Sequence, residues 1–576
     1  MINVSENYKT KIYDDETKTT CIITYGAYDI TAKELVQTSA SSTQPFTSSE
    51  ETINRMTTTE RYTTLENNQF LLDSNTDMFK DEAEGWWSVE QSNADGYFTT
   101  NPVLIYSWQE NHTSVGLTLD VGETLYEAVI RWYNSAGGLI DTYNFVNEDI
   151  DARNFVIEHG VTNYQRLEIE VVRVLPYHYA KIQEIAFGIE YKWQDNIVEL
   201  TVEEQIDNKA QELPSNQLTL VLNNIDNAYN KYNPENQLLY LQEGQQLTVL
   251  NLAHIDGKTE EVPLGVFYLT AWNNPSEYTS EFVANDLLFK LANRQYTHSK
   301  FYTNATVETI LNDMFSEFDL SYNGELQYHV DDNVKNVTLT GYLPITDYRK
   351  ALQTVCIASG ACAYCDRSGK IIVKRLSDTE IVDEIGYDKK AYANDNEDEK
   401  YDSVAVKQYV MTQGTTTRTL FSGEVSGNAT ITFGAPATNI AVSGKYDSFS
   451  AYANCIDIYG ASGSITVTGV QYDTYEKEVV ASLREDTTVG ITKQRMTVEG
   501  IYLIGKEETA VYVANWLLTE LQRYITNEFD WLGNPAIEIG DFVTLQVADT
   551  LTRKAMIQKN RFTYSGALLE TSEVVL

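Results

Sequence analysis

One local pattern occurs twice in this chain, once near its middle and once near residue 540. Residues 243–272 read EGQQLTVLNLAHIDGKTEEVPLGVFYLTAW, and residues 534–547 read NPAIEIGDFVTLQV. The acidic and glycine residues of the two turns are Glu243, Gly244, Glu538, Gly540 and Asp541. In both places they precede a strand in which apolar and polar residues alternate, and a glycine there permits a bulge or a tight bend. A short polar connection and a second strand follow each time, so the pattern predicts two similar small β-barrels.

The composition indicates a folded and strongly acidic protein. Lys and Arg total 42 against 83 Asp and Glu, which gives a formal net charge of −41. Such a surface repels the phosphate backbone of nucleic acids instead of holding it. The charge fits either a soluble, salt-tolerant surface or the wall of a passage through which a polyanion slides without sticking. A length of 576 residues with 42% hydrophobic residues allows several domains and argues against disorder.

No targeting segment, metal or cofactor is predicted. The start, MINVSENYKTKIYDDE, has neither a basic region nor an apolar stretch, and no apolar run is long enough to cross a membrane. Five scattered cysteines indicate assembly in a reducing cytoplasm. Cys362 and Cys365 form a C-x-x-C without a second pair, so they are expected to pack on a sheet, in a hairpin that turns at Asp366–Gly369.

The order of patterns predicts a mainly β chain with α+β parts. It contains two similar tube-type β-barrel domains, a small α/β domain, a β-rich domain and an inserted β-sandwich (jelly roll). The predicted boundaries are 1–67 plus 193–300 for the split first barrel, 68–192 for the insertion, 301–385 for the small α+β domain, 386–400 for an acidic linker, 401–505 for the β-rich domain, and 506–576 for a helix and the second barrel, completed by strands from 401–505. Insertion of a domain at a loop tip costs little stability.

Helices are expected in the second half of the chain. Asp286, Thr306 and Thr346 are each followed by an apolar stripe at helical spacing, so they are the predicted N-caps. A longer helix is predicted at 508–524. Its apolar stripe consists of Val511, Ala514, Leu517, Leu518 and Leu521.

The predicted insertion has the alternation of a sheet with one face in water. Leu167, Ile169 and Val171 alternate with two glutamates, and several such strands separated by turns indicate a β-sandwich. The closing pattern, in which this strand is followed by Pro176 and then AKIQEIAFG, resembles the galactose-binding-like (discoidin-type) jelly roll.

Sugar binding by this insertion would need aromatic faces and planar polar side chains at loop ends. The candidates are Trp86, Trp87, Tyr97, Trp108, Asn111 and Arg131. The alternative is that Trp86–Ser88 is a core strand, and that the insertion is a spacer or a docking face for neighbouring proteins.

Four segments in a fixed order resemble the baseplate hub family of phage tails and tail-like particles, which includes the tail-associated proteins of siphophages. They are EGQQLTV…VPLGVFYLTAW…FVANDLL, TVETILNDMF, DYRKALQTVCIASGACAYCDRSGKIIV and VANWLLTEL…GNPAIEIGDFVTLQ…FTYSGALLE. Together they span most of residues 200–576. The resemblance implies a homotrimer whose six barrels continue the hexameric tail tube. The jelly-roll insertion departs from the pattern, because many hubs lack it.

The same resemblance implies partners and a location. The partners would be distal tail and tail tube proteins, the tape measure protein, and tail tip or fibre proteins. DNA would pass through without specific binding, and the insertion would add a cell-surface glycan if it binds sugar. The protein would belong to the baseplate of a virion or of a tail-like bacteriocin particle, assembled in the bacterial host cytoplasm without membrane insertion.

The sequence predicts a structural protein and not an enzyme. Phosphate-binding loops, zinc-protease motifs and nucleophile elbows are absent from it, and the six histidines are dispersed. Pairs of carboxylates carry no information among 83 acidic residues. Two alternatives stay open: a cell-wall-degrading tail-associated enzyme with a carbohydrate-binding module, and a secreted adhesin built on the jelly roll.

Overall fold

The chain is folded mainly as β-sheet, as the sequence predicts. The computed structural model describes residues 1–14, 17–28, 32, 35–53, 66, 85–121, 125–149, 152–225, 227–230, 243–256, 258–318, 326–376, 380–391, 395–483 and 494–576. The predicted boundary after residue 67 lies outside these described residues. Within them, no helix is both long and apolar enough to span a membrane.

The elements follow one another along the chain in a fixed order. The strands are β1 (Lys18–Tyr28), β2 (Gln37–Ala40), β3 (Trp86–Gln91), β4 (Val103–Ser114), β5 (Leu117–Asp120), β6 (Leu125–Tyr133), β7 (Leu139–Val146), β8 (Asn154–Ile157), β9 (Val161–Val174), β10 (Tyr179–Ile182), β11 (Glu184–Ala186), β12 (Gly188–Trp193), β13 (Ile197–Gln205), β14 (Gln217–Asn223), β15 (Gln246–Ile255), β16 (Lys258–Ser276), β17 (Thr279–Asn285), β18 (Gln295–Tyr296), β19 (Tyr302–Thr306), β20 (Tyr328–Val330), β21 (Thr338–Gly341), β22 (Thr346–Asp347), β23 (Cys362–Cys365), β24 (Ile371–Lys374), β25 (Glu384–Ile385), β26 (Asp395–Glu397), β27 (Ser403–Thr432), β28 (Ala437–Ser443), β29 (Ser448–Ala451), β30 (Cys455–Ser482), β31 (Arg495–Val498), β32 (Ile525–Trp531), β33 (Phe542–Ala548), β34 (Leu551–Tyr564) and β35 (Leu568–Val575). The helices are Glu6–Lys11, Leu287–Ala292, Val307–Phe315, Asp332–Lys335, Tyr348–Ser359 and Glu507–Glu520, with a short 3-10 helix at Glu50–Thr52.

The largest sheet joins strands from the beginning, middle and end of the chain. Its order is β12-β1-β15-β16-β17-β14-β13-β34-β35-β32-β26, and β33 pairs with both β34 and β25. We call β12, β1, β15, β16, β17, β14 and β13, which are neighbours in this sheet order, the first unit. The second unit consists of β25, β33, β34, β35, β32 and β26. The order β15-β16-β17-β14-β13 in the first unit corresponds to β33-β34-β35-β32-β26 in the second. In each unit the long middle strand pairs with the preceding strand along its first half and with the following strand along its second half.

Each unit packs around its own apolar core. In the first unit, the Trp193 ring of β12 stacks on Tyr25 with centroids 5.5 Å apart. The same indole lies 5.4 Å from the Phe282 ring of β17, although β12 and β17 are not neighbours in the sheet. The sheet must therefore curl to bring these strands around one core. The core of the second unit collects apolar residues of β25, β32, β33 and β34 in the same way.

The strands that complete the second unit come from an unexpected segment. The prediction that residues 401–505 supply them is wrong, because those strands form a separate sheet with the order β28-β30-β27-β31 and with β29 beside β30. The second unit is completed instead by β25 and β26, which pair with β33 and β32. β26 lies within the predicted acidic linker at 386–400, and all of its residues are exposed. A strand this short and acidic carries no apolar alternation, so the sequence pattern does not reveal it.

The sandwich leaves the first unit and returns to it at neighbouring positions, since Tyr28 in β1 lies opposite Gly188 in β12. Its sheet β2-β4-β9-β6-β7 shares a core with β3, β5, β8, β10 and β11. β2 pairs with β4, so Gln37–Ala40 belongs to the sandwich and not to the first barrel as predicted. That pairing depends on the edge that the distant β4 offers, and the local sequence QTSA does not indicate it.

The helices after residue 285 share a core with β23, β24 and the bases of β27, β30 and β31. Asp286 and Thr306 are N-caps, as predicted, and each side chain accepts a backbone N–H. The prediction that Thr346 caps the following long helix is wrong by one residue, because the helix begins at Tyr348 and the Asp347 side chain accepts the Lys350 N–H at 2.8 Å.

On the helix Glu507–Glu520 the buried face differs from the predicted apolar stripe at one position. Val511 is 42% exposed and Val513 is buried in its place, whereas Ala514 and Leu517 face the core as expected.

A long two-stranded ribbon of β27 and β30 extends from this core. None of residues 411–420 and 471–480, in the middle of the ribbon, is buried. Beyond them, the ribbon ends enclose a small separate core with β28 and β29. We call residues 421–470 the distal lobe.

Candidate assembly site

The glycine turn of the first unit is a left-handed bend locked by two backbone hydrogen bonds. Gly244 has φ +88°. Its N–H donates to the Leu269 carbonyl at 2.7 Å, and the Leu269 N–H donates to the Gln245 carbonyl at 2.8 Å. Leu269 is the position at which β16 changes partner from β15 to β17.

The turn of the second unit repeats this arrangement. Gly540 has φ +80°. Its N–H donates to the Ile557 carbonyl at 2.8 Å, and the Ile557 N–H donates to the Asp541 carbonyl at 2.9 Å. A register shift follows Ile557 in β34, just as one follows Leu269 in β16. The two turns therefore occupy equivalent places in the two units.

The acidic residues beside the turns differ in their surroundings. Glu243 is exposed, whereas burial raises the pKa of Glu538. The Asp541 carboxylate accepts the Glu538 N–H at 2.9 Å and pairs with the Met1 amine at 2.6 Å. Asp541 therefore stabilises the turn itself.

Replacing Gly244 or Gly540 with alanine is expected to lower the free energy of unfolding by about 1–2 kcal/mol, because a Cβ disfavours the left-handed conformation. At Gly540 a Cβ would also lie 3.1 Å from the Leu376 Cδ2 atom. Urea denaturation measures both losses. Gly434→Ala is the matched control, because a Cβ there meets nothing within 4 Å, and its stability should not change. A loss at only one of the two turns would contradict their equivalence.

The two units are joined within the chain by the pairing of β13 with the second half of β34, which we call the internal joint. Its register runs from Leu200 opposite Tyr564 to Gln205 opposite Lys559. On the outer face, the Arg561 guanidinium lies 2.7 Å from the Glu203 carboxylate. The joint therefore makes one continuous sheet out of two repeated units.

A buried ion pair fastens the small α+β domain beneath this joint. Arg367, in the turn between β23 and β24, donates to the Glu204 carboxylate of β13 at 2.7 and 3.0 Å. Both side chains are almost fully buried. Arg367 also donates to the carbonyls of Ile537, at 2.7 Å, and Pro535, and Asn560 of β34 donates to Glu204 at 2.9 Å. Burial disfavours the charge of Arg367, but Glu204 keeps its pKa above the usual value.

A second buried carboxyl group, Glu570 in β35, lies near this pair. It accepts the Asn534 N–H at 2.7 Å and the Ser572 hydroxyl at 3.3 Å. Burial raises the pKa of Glu570 to about 8, against the opposing charge of Arg367. This carboxyl group is therefore largely protonated at neutral pH.

Several edges of the large sheet pair with no further strand among the described residues, and two of them face the same way as the strands of the internal joint in their own units. One is the outer edge of β26, and the other is the end of β16 from 273 to 276. Both stretches are exposed.

The strand registers relate these two edges to the internal joint. In the first unit, Glu203 of β13 lies opposite Gln217 of β14. In the second unit, Asn396 of β26 lies opposite Thr526 of β32, so Asn396 occupies the position that corresponds to Glu203. β16 and β34 correspond through their partner changes, which puts Asn273 in the place of Arg561. The open edges are thus the counterparts of the two strands that already pair within the chain.

The outer face of the joined sheet is acidic. Side chains alternate between the two faces of a strand, so those that point away from the cores form one surface across β13, β17, β34, β35 and β32. Its acidic residues are Glu199, Glu203, Glu281, Glu528, Asp530 and Glu573, and its basic residues are Lys559 and Arg561. Part of the acidic excess of the chain therefore lies on this face.

The aromatic candidates for sugar binding lie mostly inside the sandwich. Trp86, Trp87 and Trp108 are buried, and a buried ring offers no face to a ligand. Tyr97 is 39% exposed and Asn111 is also exposed.

Arg131, the last candidate, lies on β6, where its guanidinium forms an ion pair with Glu170 at 2.7 Å.

No group of three or more His, Cys, Asp and Glu side chains suited to a metal occurs among the described residues. Cys362 and Cys365 are buried as free thiols in β23.

No protein-family model and no curated protein sequence matches the chain. Among solved structures, it is similar to the 43 kDa tail protein of prophage MuSo2 from Shewanella oneidensis, at 12% identity and a TM-score of 0.41, over 67% of this chain and 95% of that one. It is also similar to the tail protein from Neisseria meningitidis MC58, at 10% identity and a TM-score of 0.42, over 67% and 94%. A smaller part is similar to the family 32 CBM from C. perfringens NanJ in complex with galactose, at 10% identity and a TM-score of 0.18, over 29% and 99%.

Sequence reasoning missed the buried polar residues beneath the joint. Glu204 falls on the same face of β13 as the buried Leu200 and Val202, so a charge at an apolar position could have revealed it. Arg367 stands in the turn sequence DRSGK, which looks like an ordinary exposed turn. Only the fold shows that this turn is inserted between the two units.

Proposed function

We propose that this chain is the structural hub of a phage-tail or tail-like baseplate, and that three copies form a ring at the distal end of the tail tube. One observation supports the ring above all. The internal joint pairs two equivalent units, and the two open edges are the counterparts of the strands in that joint. A head-to-tail contact of this kind closes into a ring when the rotation between copies allows it. Three copies with two equivalent units each would match a six-fold tube.

In the proposed ring, β26 of one copy pairs with the end of β16 in the next copy. Asn396 would then lie opposite Asn273, where the internal joint has Glu203 and Arg561. Two amide side chains can exchange hydrogen bonds across neighbouring strands. Closure of the ring would also cover the two open sheet edges, which could otherwise pair non-specifically with strands of other proteins.

The acidic outer face of the large sheet is proposed to line the bore of this ring. Like charges repel over a Debye length of about 8 Å at physiological salt, so DNA would pass along such a wall without binding to it. The proposed partners are the tail tube and distal tail proteins on one side, the tip or fibre proteins on the other, and the tape measure protein in the bore. The inserted sandwich would serve as an accessory module that contacts neighbouring baseplate proteins or a cell-surface glycan.

Glu397→Pro is expected to leave the fold intact and to abolish the trimer. The Asp398 N–H donates to the Tyr524 carbonyl at 2.7 Å, and donors alternate in an antiparallel ladder, so the Glu397 N–H points to the open edge. Proline removes that N–H and places its ring in the proposed seam. Light scattering should give about three times 65.2 kDa for the unmodified protein and a single chain for the variant.

Glu397→Ala is the matched control, because it removes the same carboxylate but keeps the backbone donor. It should stay trimeric, and circular dichroism should show that both variants are folded. A trimer that survives the proline, or an unmodified protein that stays monomeric at every concentration, would refute the proposed seam.

A further inference from the structure

The distal lobe touches the rest of the molecule next to the segment 297–301, which precedes the helix Val307–Phe315. The Ala453 N–H donates to the Ser299 carbonyl at 2.7 Å, and the Cys455 thiol donates to the Thr297 carbonyl at 3.1 Å. The ribbon that carries the lobe is exposed along its middle. This docking contact therefore holds a separately packed lobe at the end of a thin connection.

His298 stands at the centre of the contact. Its Nε2 atom lies 2.8 Å from the Asp457 Oδ2 atom in the distal lobe. Its Nδ1 atom is hydrogen-bonded to the Glu317 carboxylate of the α+β domain. The imidazole ring also stacks on Tyr452 of the lobe, with centroids 4.1 Å apart and planes 8° from parallel.

This geometry suits a protonated histidine. Each ring nitrogen faces a carboxylate oxygen, and a carboxylate can only accept hydrogen bonds. A neutral imidazole has one N–H, so one of its nitrogens would direct a lone pair at an oxygen of the same polarity. The imidazolium form donates from both nitrogens and satisfies both carboxylates.

We propose that His298 is a proton-dependent latch, which holds the distal lobe against the α+β domain when protonated and releases it when neutral. The docked state binds a proton that the released state does not need. Raising the pH therefore favours release, and histidine changes its charge between about pH 5 and 8.

The other polar groups at the contact do not replace this latch. Lys300 is 2.7 Å from Asp313 within the α+β domain, so that pair does not cross to the lobe. Burial raises the pKa of Cys455 to about 12, which keeps the thiol neutral throughout the range in which histidine titrates. Burial likewise raises the pKa of Tyr452, so its hydroxyl also stays neutral there. Asp457 has a second donor, the Thr430 hydroxyl at 2.5 Å, which belongs to the lobe itself.

Hydrogen exchange at the Ala453 amide in the full-length protein tests the latch, because this N–H bonds across the contact. After correction for the intrinsic exchange rate, protection should fall as the pH is raised from 5 to 8, by up to roughly tenfold per pH unit for one linked proton. Protection that does not change with pH would overturn the proposal.

Two variants separate the charge of His298 from its shape. His298→Arg keeps a positive charge at every pH and should give high, pH-independent protection. His298→Gln is neutral and should give low, pH-independent protection. His329→Gln, at an exposed histidine on β20, is the matched control and should behave like the unmodified protein. If either His298 variant kept the pH dependence of the unmodified protein, the latch would be refuted.

Discussion

Replacing Arg367 with alanine is expected to lower the free energy of unfolding by about 3–5 kcal/mol, because the Glu204 carboxylate would be left buried without its cation. The two side chains are 2% and 4% exposed, so the guanidinium and not bulk water stabilises the charge of the carboxylate. The carbonyl groups of Pro263, Pro535 and Ile537 would each lose one donor as well. Urea denaturation followed by tryptophan fluorescence measures the loss.

Arg561→Ala is the matched control for this variant. It breaks an ion pair on the outer face, where the arginine side chain is 56% exposed, so the expected loss is only about 0–1 kcal/mol. Combining Arg367→Met with Glu204→Met should recover much of the stability, because both buried charges are then gone. Similar losses for Arg367→Ala and Arg561→Ala would show that the pair beneath the joint is not desolvated.

Glu570→Gln is expected to flatten the pH dependence of stability between about pH 5 and 8. The pKa of Glu570 is raised to about 8 in the folded protein, well above that of a carboxyl group in an unfolded chain. The folded state therefore binds more protons in this range, and stability falls as the pH rises, by at most about 1.4 kcal/mol per pH unit. Glutamine accepts the Asn534 N–H but cannot ionise, so its contribution should not change with pH.

Urea denaturation at a series of pH values compares the two slopes. Glu110→Gln, at an exposed position on β4 of the sandwich, controls for the loss of a carboxylate and should leave the slope unchanged. A Glu570→Gln protein that loses stability with pH as steeply as its parent would exclude this residue as the source.

The sequence reveals those parts of the fold that depend on local conformation. Gly244 and Gly540 stand out because a left-handed bend favours glycine, and the strands after them alternate with period two. Asp286 and Thr306 can be predicted as caps because few residue types have a short side chain that accepts a backbone N–H at the start of a helix. These rules relate residues that are close in the chain.

The remaining parts depend on which distant segments meet. β26 consists of exposed acidic and amide residues, and only its pairing with β32 makes it a strand. The Arg367–Glu204 pair joins residues that are far apart in sequence, and neither position has a neighbour that indicates the other. For Trp86, Trp87 and Trp108 the residue type alone does not decide, because tryptophan occurs both in ligand sites and in cores. The fold places all three in buried positions.

The adjacent exit and return points of the sandwich have a consequence for how such a chain can diversify. Because Tyr28 and Gly188 face each other across one antiparallel pair, the intervening domain behaves as a cassette that a short turn could replace. Its core is distinct from that of the first unit, so an exchange would leave the residues that hold the two units together untouched. A lineage could thus graft new modules onto a constant scaffold, and alter the outward contacts of the chain without redesigning the joint between its two units.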